Sequence, residues 1–222
     1  MEHTSATPAG GAGAGTPYIR RYRPTDHAAL AEICVRTAHE GGDSSALCPD
    51  PGLMPSVFAH PYAALEPDFV FVLDDGAGNA VGYVLGAPDT MRYAERFRAE
   101  WLPTVSARFP LPEGEPRTPA EEITALLHRP EHMLRPELAG HPAHLHIDLL
   151  PPWQGRGHGR ALMRTLLDAF HEAGVPAVHL CMVQANTRAR AFYDRLGFRL
   201  LPITDPAPIW YLGRPTARDA AL

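Results

Sequence analysis

The run Gln154-Gly155-Arg156-Gly157-His158-Gly159 constrains the chain more than any other, because of what stands on either side of it. Before it, His144-Leu145-His146-Ile147-Asp148-Leu149-Leu150 alternates polar with apolar side chains, as a strand between two environments does, and Pro151-Pro152 stops the ladder. After it, Leu162, Met163, Leu166, Leu167 and Phe170 recur at helical spacing until Gly174 and Pro176. Strand, glycine-rich turn and helix in that order leave several backbone N–H groups aimed at one spot, where the helix dipole also favours an anion. Glycine suits such a turn because a Cβ would hold a pyrophosphate away from the backbone. The segment therefore reads as a phosphate cradle. It is not a dinucleotide fingerprint, which needs Gly-x-Gly-x-x-Gly where the glycines here fall at 155, 157 and 159. Nor is it a P-loop, which needs a Lys followed by Ser or Thr, since the chain contains no Lys.

A second ordered stretch lies downstream. Ala177 to Gln184 reads as a strand and Asn186 to Leu196 as a short helix, with Asn186 placed to cap it and Gly197-Phe198 to end it. Ala189, Phe192, Tyr193 and Leu196 share one face of that helix.

Gln154, Gly157 and Gly159 match the Gln/Arg-x-x-Gly-x-Gly/Ala cradle of the GNAT-type N-acetyltransferases. The stretch from Asn186 through Ala189, Phe192 and Tyr193 to Gly197-Phe198 resembles that family's second signature, Asn-x-x-Ala-x-x-Phe-Tyr-x-x-x-Gly-Phe. The resemblance implies an α/β fold of GNAT type: a central mixed, mostly antiparallel sheet, splayed around an acetyl-CoA site, with helices on both faces. It implies acetyl-CoA as co-substrate, its diphosphate on the backbone of Gly155, Arg156, Gly157, His158, Gly159 and Arg160. The pantetheine arm would run beside Leu149 and Leu150, an N–H near Leu149 would face the thioester oxygen, and Gln154, Asn186, Phe192 and Tyr193 would complete the cofactor set. Tyr193 stands at the family position whose phenol faces the thiol sulfur, and Asp148 near the family's carboxylate.

Elementary chemistry bears on those roles. A phenol of ordinary pKa about 10 stays protonated at neutral pH and can donate to a thiolate whose conjugate acid is near 8.5. A carboxylate of ordinary pKa about 3.9 is a poor base for an ammonium unless burial raises it, so orientation of the substrate is the first role expected of Asp148 and proton abstraction the second. The catalytic pair expected is thus Tyr193 and Asp148, acting on an amine by direct transfer. His146 has the right ordinary pKa for base chemistry, but a single strand histidine is more often structural. His144-x-His146-x-Asp148 also offers a zinc-binding pattern, which would make the chain a metal-dependent hydrolase. A third class is a non-catalytic module that binds acetyl-CoA and recognises a partner. The acceptor is open: a small-molecule amine, an amino sugar or a protein lysine.

The rest of the chain fits one domain. At 222 residues it is long for one small domain and short for two. Residues 1–16, rich in Gly, Ala and Thr, read as a disordered tail. Residues 17–214 read as the domain, with an inserted segment at about 88–142, and residues 215–222 as a second tail. Tyr18 to Arg23 alternates as a first strand, and Pro24-Thr25-Asp26 opens a helix carrying Leu30, Ile33, Cys34 and Thr37. Residues 41–65 read as irregular, broken by Pro49, Pro51, Pro55 and Pro61. Asp68–Asp74 and Ala80–Ala87 form a hairpin around Asp75-Gly76-Ala77-Gly78-Asn79. The insertion holds one helix near Thr90–Trp101 and another near Pro119–His128, and reads either as a lid or substrate wall or as simple decoration. Together with Tyr83-Val84-Leu85-Gly86-Ala87 and His146 to Pro151, it resembles the acetyltransferase-like domain of animal O-GlcNAc hydrolases and its stand-alone bacterial relatives.

A formal charge of −5 argues against a nucleic-acid binder working through a basic surface. No apolar run reaches the roughly 18 residues of a membrane span. Cys34, Cys48 and Cys181 lack CxxC spacing and read as reduced thiols in a cytoplasmic protein. Ile209 to Leu212 is expected as an exposed last strand, offering an edge for pairing with a second copy.

Overall fold

The computed structural model describes residues 15–39, 42–204 and 208–217, so residues 1–14 of the expected tail and 218–222 of the second lie outside the described residues. Strand β1 (Tyr18–Arg21) passes through a single 3-10 turn (Pro24–Asp26) into α1 (His27–Thr37), which buries Leu30, Ile33, Cys34 and Thr37 at the expected helical spacing. Two short helices follow, α2 (Leu53–Phe58) and α3 (His60–Leu65), where an irregular segment is expected. The prolines misled because Pro55 and Pro61 sit in first turns, where a missing N–H removes no helix bond. Strands β2 (Val70–Asp74) and β3 (Ala80–Ala87) form the hairpin.

The insertion opens with α4 (Thr90–Arg96), capped by the Asp89 carboxylate accepting from the Arg92 N–H. A π-helical turn (Phe97–Trp101) joins it to α5 (Leu102–Val105), and α6 (Pro119–Leu127) is capped by Thr118. Both expected helices are therefore present. Then come β4 (Ala143–Leu149), α7 (His158–Glu172), β5 (Ala177–Val183), α8 (Thr187–Arg195), β6 (Arg199–Leu200) and β7 (Ile209–Pro215).

The seven strands form one mixed sheet in the order β1-β2-β3-β4-β5-β7-β6, with β4 and β5 parallel and every other pair antiparallel. Helices cover both faces. Tyr83, Leu85 and Ala87 of β3 pack beneath α1, α2 and the insertion, whereas Val81 and Val84 pack with α7 through Leu162, Met163, Leu166 and Phe170. That close approach explains Gly86, where a Cβ would stand 2.5 Å from the Phe170 ring and 2.8 Å from Leu166. Among the described residues no helix is long and apolar enough to cross a membrane.

Two expectations about the end of the chain are corrected. Strand β7 is not the sheet edge: it pairs with β5 from Ile209 to Pro215 on one side and with the two-residue β6 at Leu212 and Gly213 on the other. The Leu212 side chain also joins the core. The domain also continues past residue 214, because Thr216 is buried, its N–H donating to the Pro176 carbonyl at 3.1 Å and its hydroxyl to the Val175 carbonyl.

Candidate active site

The sheet parts at its centre. β4 and β5 pair only at Ala143 with Val178 and His144 with His179. Beyond that point β4 stays with β3, and β5 stays with β7, so residues 145–149 and 180–183 face each other across a gap. The Leu150 N–H donates to the Val81 carbonyl at 3.0 Å. Strand alternation then turns the N–H groups of Ile147 and Leu149 into the gap. The Leu149 carbonyl on the same side is taken by the Gln154 side-chain amide at 2.8 Å, which ties the glycine turn to the strand.

The turn stands at the end of this gap. Gly155 and Gly157 have φ of 72° and 87°, the left-handed region that side chains with a Cβ rarely adopt, and a Cβ at either would meet nothing within 4 Å. Backbone conformation, not packing, therefore requires glycine, and the space above the turn stays clear. Gly157 caps α7, whose first ladder bond runs from the Ala161 N–H to the Gly157 carbonyl, so the N–H groups of His158 and Gly159 precede the ladder. Arg156 and Arg160 are exposed beside them. The Phe192 ring of α8 lies over Gly159, 3.4 Å from where its Cβ would be. Asn186 caps α8, its side-chain oxygen accepting from the Ala189 N–H at 3.0 Å, and so positions the helix that carries Phe192 and Tyr193.

Asp148 occupies the β4 face away from α7, where the Tyr83 hydroxyl donates to its Oδ2 at 2.8 Å. Burial pushes its carboxyl up to about 6, with Tyr83 and Thr37 drawing it partway back. Burial thus supplies the rise that proton abstraction by Asp148 requires, to a value suited to exchange a proton near neutrality. Burial, then the negative charge of Asp148, push the Tyr193 phenol well above its ordinary value, so it remains a donor throughout the working pH range. Among the described residues nothing hydrogen-bonds the Tyr193 hydroxyl.

The histidines of β4 play other parts. His144 Nδ1 pairs with the Thr90 hydroxyl at 2.9 Å and Nε2 with the Tyr62 hydroxyl at 2.8 Å, which leaves neither nitrogen for a metal. Burial pushes His146 down to about 4, and its ring packs edge-on against Tyr62 and Phe58. Among the described residues no three His, Cys, Asp or Glu side chains converge to hold a metal ion.

One feature escaped sequence reading: a pocket with about 700 Å³ of empty space, its open mouth included, on the Asp148 face of the sheet. Its walls come from Phe58 and Tyr62, from Tyr93 and Phe97 of the insertion, and from His146 and Cys181 on the two sides of the gap. The insertion thus serves as a wall of the cavity next to the candidate catalytic pair. Tyr93 and Phe97, four residues apart on a helix, were the local signal, but nothing local says what they face.

Comparison with known proteins agrees with this fold. A model of the acetyltransferase (GNAT) family matches residues 46–198. The chain is 26% identical over 182 residues to protein O-GlcNAcase of Rattus norvegicus, covering 81% of this chain but only 20% of that relative's length. The crystal structure of SsHAT, 62% identical, superposes with a TM-score of 0.89 over 91% of this chain and 100% of that one. A phosphinothricin acetyltransferase from Sinorhizobium meliloti, solved in complex with AcCoA, shares the fold at 16% identity, with a TM-score of 0.53 over 90% of this chain and 88% of that one.

Proposed function

Because the chain belongs to the acetyltransferase (GNAT) family, we propose that it transfers the acetyl group of acetyl-CoA directly to an amine, with Asp148 accepting the amine proton and Tyr193 protonating the departing thiolate. The observation that carries this reading is the gap between β4 and β5, with a glycine cradle at its end and a carboxyl of raised pKa at its side. Acetyl-CoA supplies an acetyl group already activated as a thioester. The chain supplies the rest. The open N–H groups of His158 and Gly159 suit a diphosphate, the N–H of Leu149 suits a carbonyl oxygen on which charge develops, and the unpartnered phenol of Tyr193 suits a sulfur. Burial turns Asp148 from a mere anchor for an ammonium into an acceptor of its proton. None of the cysteines is needed as a nucleophile, since direct transfer forms no covalent enzyme intermediate, and burial holds Cys34 as a thiol. A cytoplasmic location is proposed with this reading, because the reaction consumes acetyl-CoA.

Release of free CoA thiol from acetyl-CoA, followed with purified protein and pooled small amines, amino sugars and lysine peptides, tests the proposal. Release that depends on one pool supports it; saturable acetyl-CoA binding without such release overturns it in favour of a binding module. Tyr193→Phe is expected to lower kcat about tenfold with acetyl-CoA affinity unchanged. The loss is moderate because a thiolate with conjugate acid near 8.5 departs readily even without an acid. Wild-type kcat in this variant would remove Tyr193 from the chemistry. Gly157→Ala forces a Cβ into left-handed backbone at a cost of about 1–2 kcal/mol. It is expected to weaken acetyl-CoA binding by calorimetry while the protein stays folded, and unaltered affinity would take the cradle out of cofactor binding.

A further inference from the structure

A buried carboxyl takes up a proton from an amine only while it is itself ionised, and in this fold one neighbour does most to keep it so. Tyr83 stands directly opposite Asp148 in the β3–β4 ladder, so the two side chains leave the same face of the sheet next to each other. The Tyr83 ring is fully buried and packs with Leu30, Ile33 and Cys34 of α1, and its hydroxyl donates to Asp148 Oδ2 at 2.8 Å. Close packing of that ring fixes where its hydroxyl points. Burial, and then the charge of Asp148, push the Tyr83 phenol well above its ordinary value, so it is a donor at every working pH.

The groups that face the carboxyl are Tyr83 from β3, Cys34 and Thr37 from α1 and Tyr193 from α8, with His146 two residues back on its own strand face. Burial keeps the thiol and both phenols protonated and His146 uncharged at pH 7, so none of these neighbours opposes the negative charge with a positive one. Among the described residues no Arg pairs with Asp148 either. Hydrogen bonds are therefore what hold the ionised form against burial. Thr37 gives less than Tyr83, its hydroxyl also donating to the Ile33 carbonyl at 2.6 Å.

Resting on the acetyltransferase reading, we propose that Tyr83 is a positioning residue for proton transfer: its hydroxyl holds Oδ2 of Asp148, fixes the direction of the carboxylate and stabilises the ionised form that receives the amine proton. The proton passes from nitrogen to the carboxylate while Tyr83 keeps its own, so the phenol acts through Asp148 alone. Its hydrogen bond is strongest to the charged carboxylate and weakens once the proton has arrived.

Tyr83→Phe in the full chain keeps the buried ring and removes only the hydroxyl. The titration midpoint of the Asp148 carboxyl, followed without substrates by carbon-13 NMR and assigned by its absence in Asp148→Asn, is expected near 6 in the wild type. In Tyr83→Phe it should stand about one to two pH units higher, the shift that loss of a hydrogen bond to a charged group produces. The inflection of kcat/KM for thiol release, with whichever amine pool responds, should move by the same amount. At pH 7 that lowers kcat/KM about two- to tenfold, and by less at higher pH. In the Asp148→Asn background the same Tyr83→Phe change should alter kcat/KM by less than about twofold, because the carboxylate through which Tyr83 acts is already gone. An unmoved midpoint, or an equal loss in the Asp148→Asn background, overturns the proposal while leaving the acetyltransferase reading intact. If no amine releases thiol, the acetyltransferase reading fails and the midpoint alone decides: a raised one supports the hold of Tyr83 on Asp148, and an unmoved one overturns it.

Discussion

Asp148→Asn is expected to lower kcat/KM by about 10²–10⁴-fold, the usual contribution of a positioned proton acceptor, while acetyl-CoA affinity stays unchanged. The amide keeps the shape of the carboxyl and an oxygen for the Tyr83 hydroxyl, so what is lost is basicity. The pH profile separates this from loss of a mere anchor. With the carboxyl at about 6, wild-type kcat/KM should rise as pH climbs through that value and then level, because only the ionised form accepts a proton. The residual activity of the variant should lack that inflection. Stability runs the other way. The folded pKa of about 6 lies above the ordinary 3.8, so the stabilising preference for the neutral form is complete below pH 4 and lost as pH rises through 6. The Asn variant is spared that loss and should melt at a higher temperature than wild type at pH 7. Wild-type kcat/KM in the variant, or a wild-type profile flat across pH 5–7, would mean that Asp148 takes no proton.

What was legible from sequence had its cause close by in the chain. The glycine turn, the α7 core face and the Asn186 cap each follow from turn chemistry or periodicity within about a dozen residues. The hairpin was legible for the same reason: Asp75 and Asn79 close it, with Asp75 Oδ1 accepting from the Ala77 N–H at 2.8 Å. What was not legible depends on distant residues. The pKa of Asp148 is raised by burial in the assembled fold and drawn partway back by hydroxyls from Thr37 of α1 and from Tyr83, the latter 65 positions away. The pocket gathers residues from Val57 to Tyr211, and no pattern along the chain announces that assembly. Strand β6 is two exposed residues, too short to show alternation, yet it determines that β7 is not an edge.

Arg20 belongs to that second group, and Arg20→Ala is expected to cost about 3–5 kcal/mol in urea unfolding, the loss seen when one partner of a buried ion pair is removed. In sequence Arg20 and Arg21 look alike. In the fold the Arg20 side chain is 8% exposed: Nη1 and Nη2 hold Asp26 at 2.6 and 2.8 Å, and Nε holds Asp74 at 2.8 Å. Asp26 also accepts from the Arg23 N–H, and Asp74 Oδ1 from the N–H groups of Gly76 and Gly78. One guanidinium thus joins β1, the start of α1 and the β2–β3 turn, and its loss leaves two buried carboxylates facing each other. The Arg21 side chain is 62% exposed, its Nη1 donating to the Asp68 main-chain carbonyl at 2.7 Å and reaching the Asp68 carboxylate only at 3.5 Å, so Arg21→Ala should cost less than about 1 kcal/mol. Acid should erase the difference. Asp26 and Asp74 are held below the ordinary 3.8 despite burial, by hydrogen bonds from Arg20 and the backbone. Their stabilising contribution is therefore present above that value and lost as pH falls below it. The gap between the two variants should be widest near pH 7 and close in acid. Similar losses in both would mean that removing a positive charge from a chain of net charge −5 is what matters, and the buried joint is not. Since β2 and β3 separate β1 from β4, about 14 Å across the sheet, the folded Arg20 variant should keep wild-type kcat.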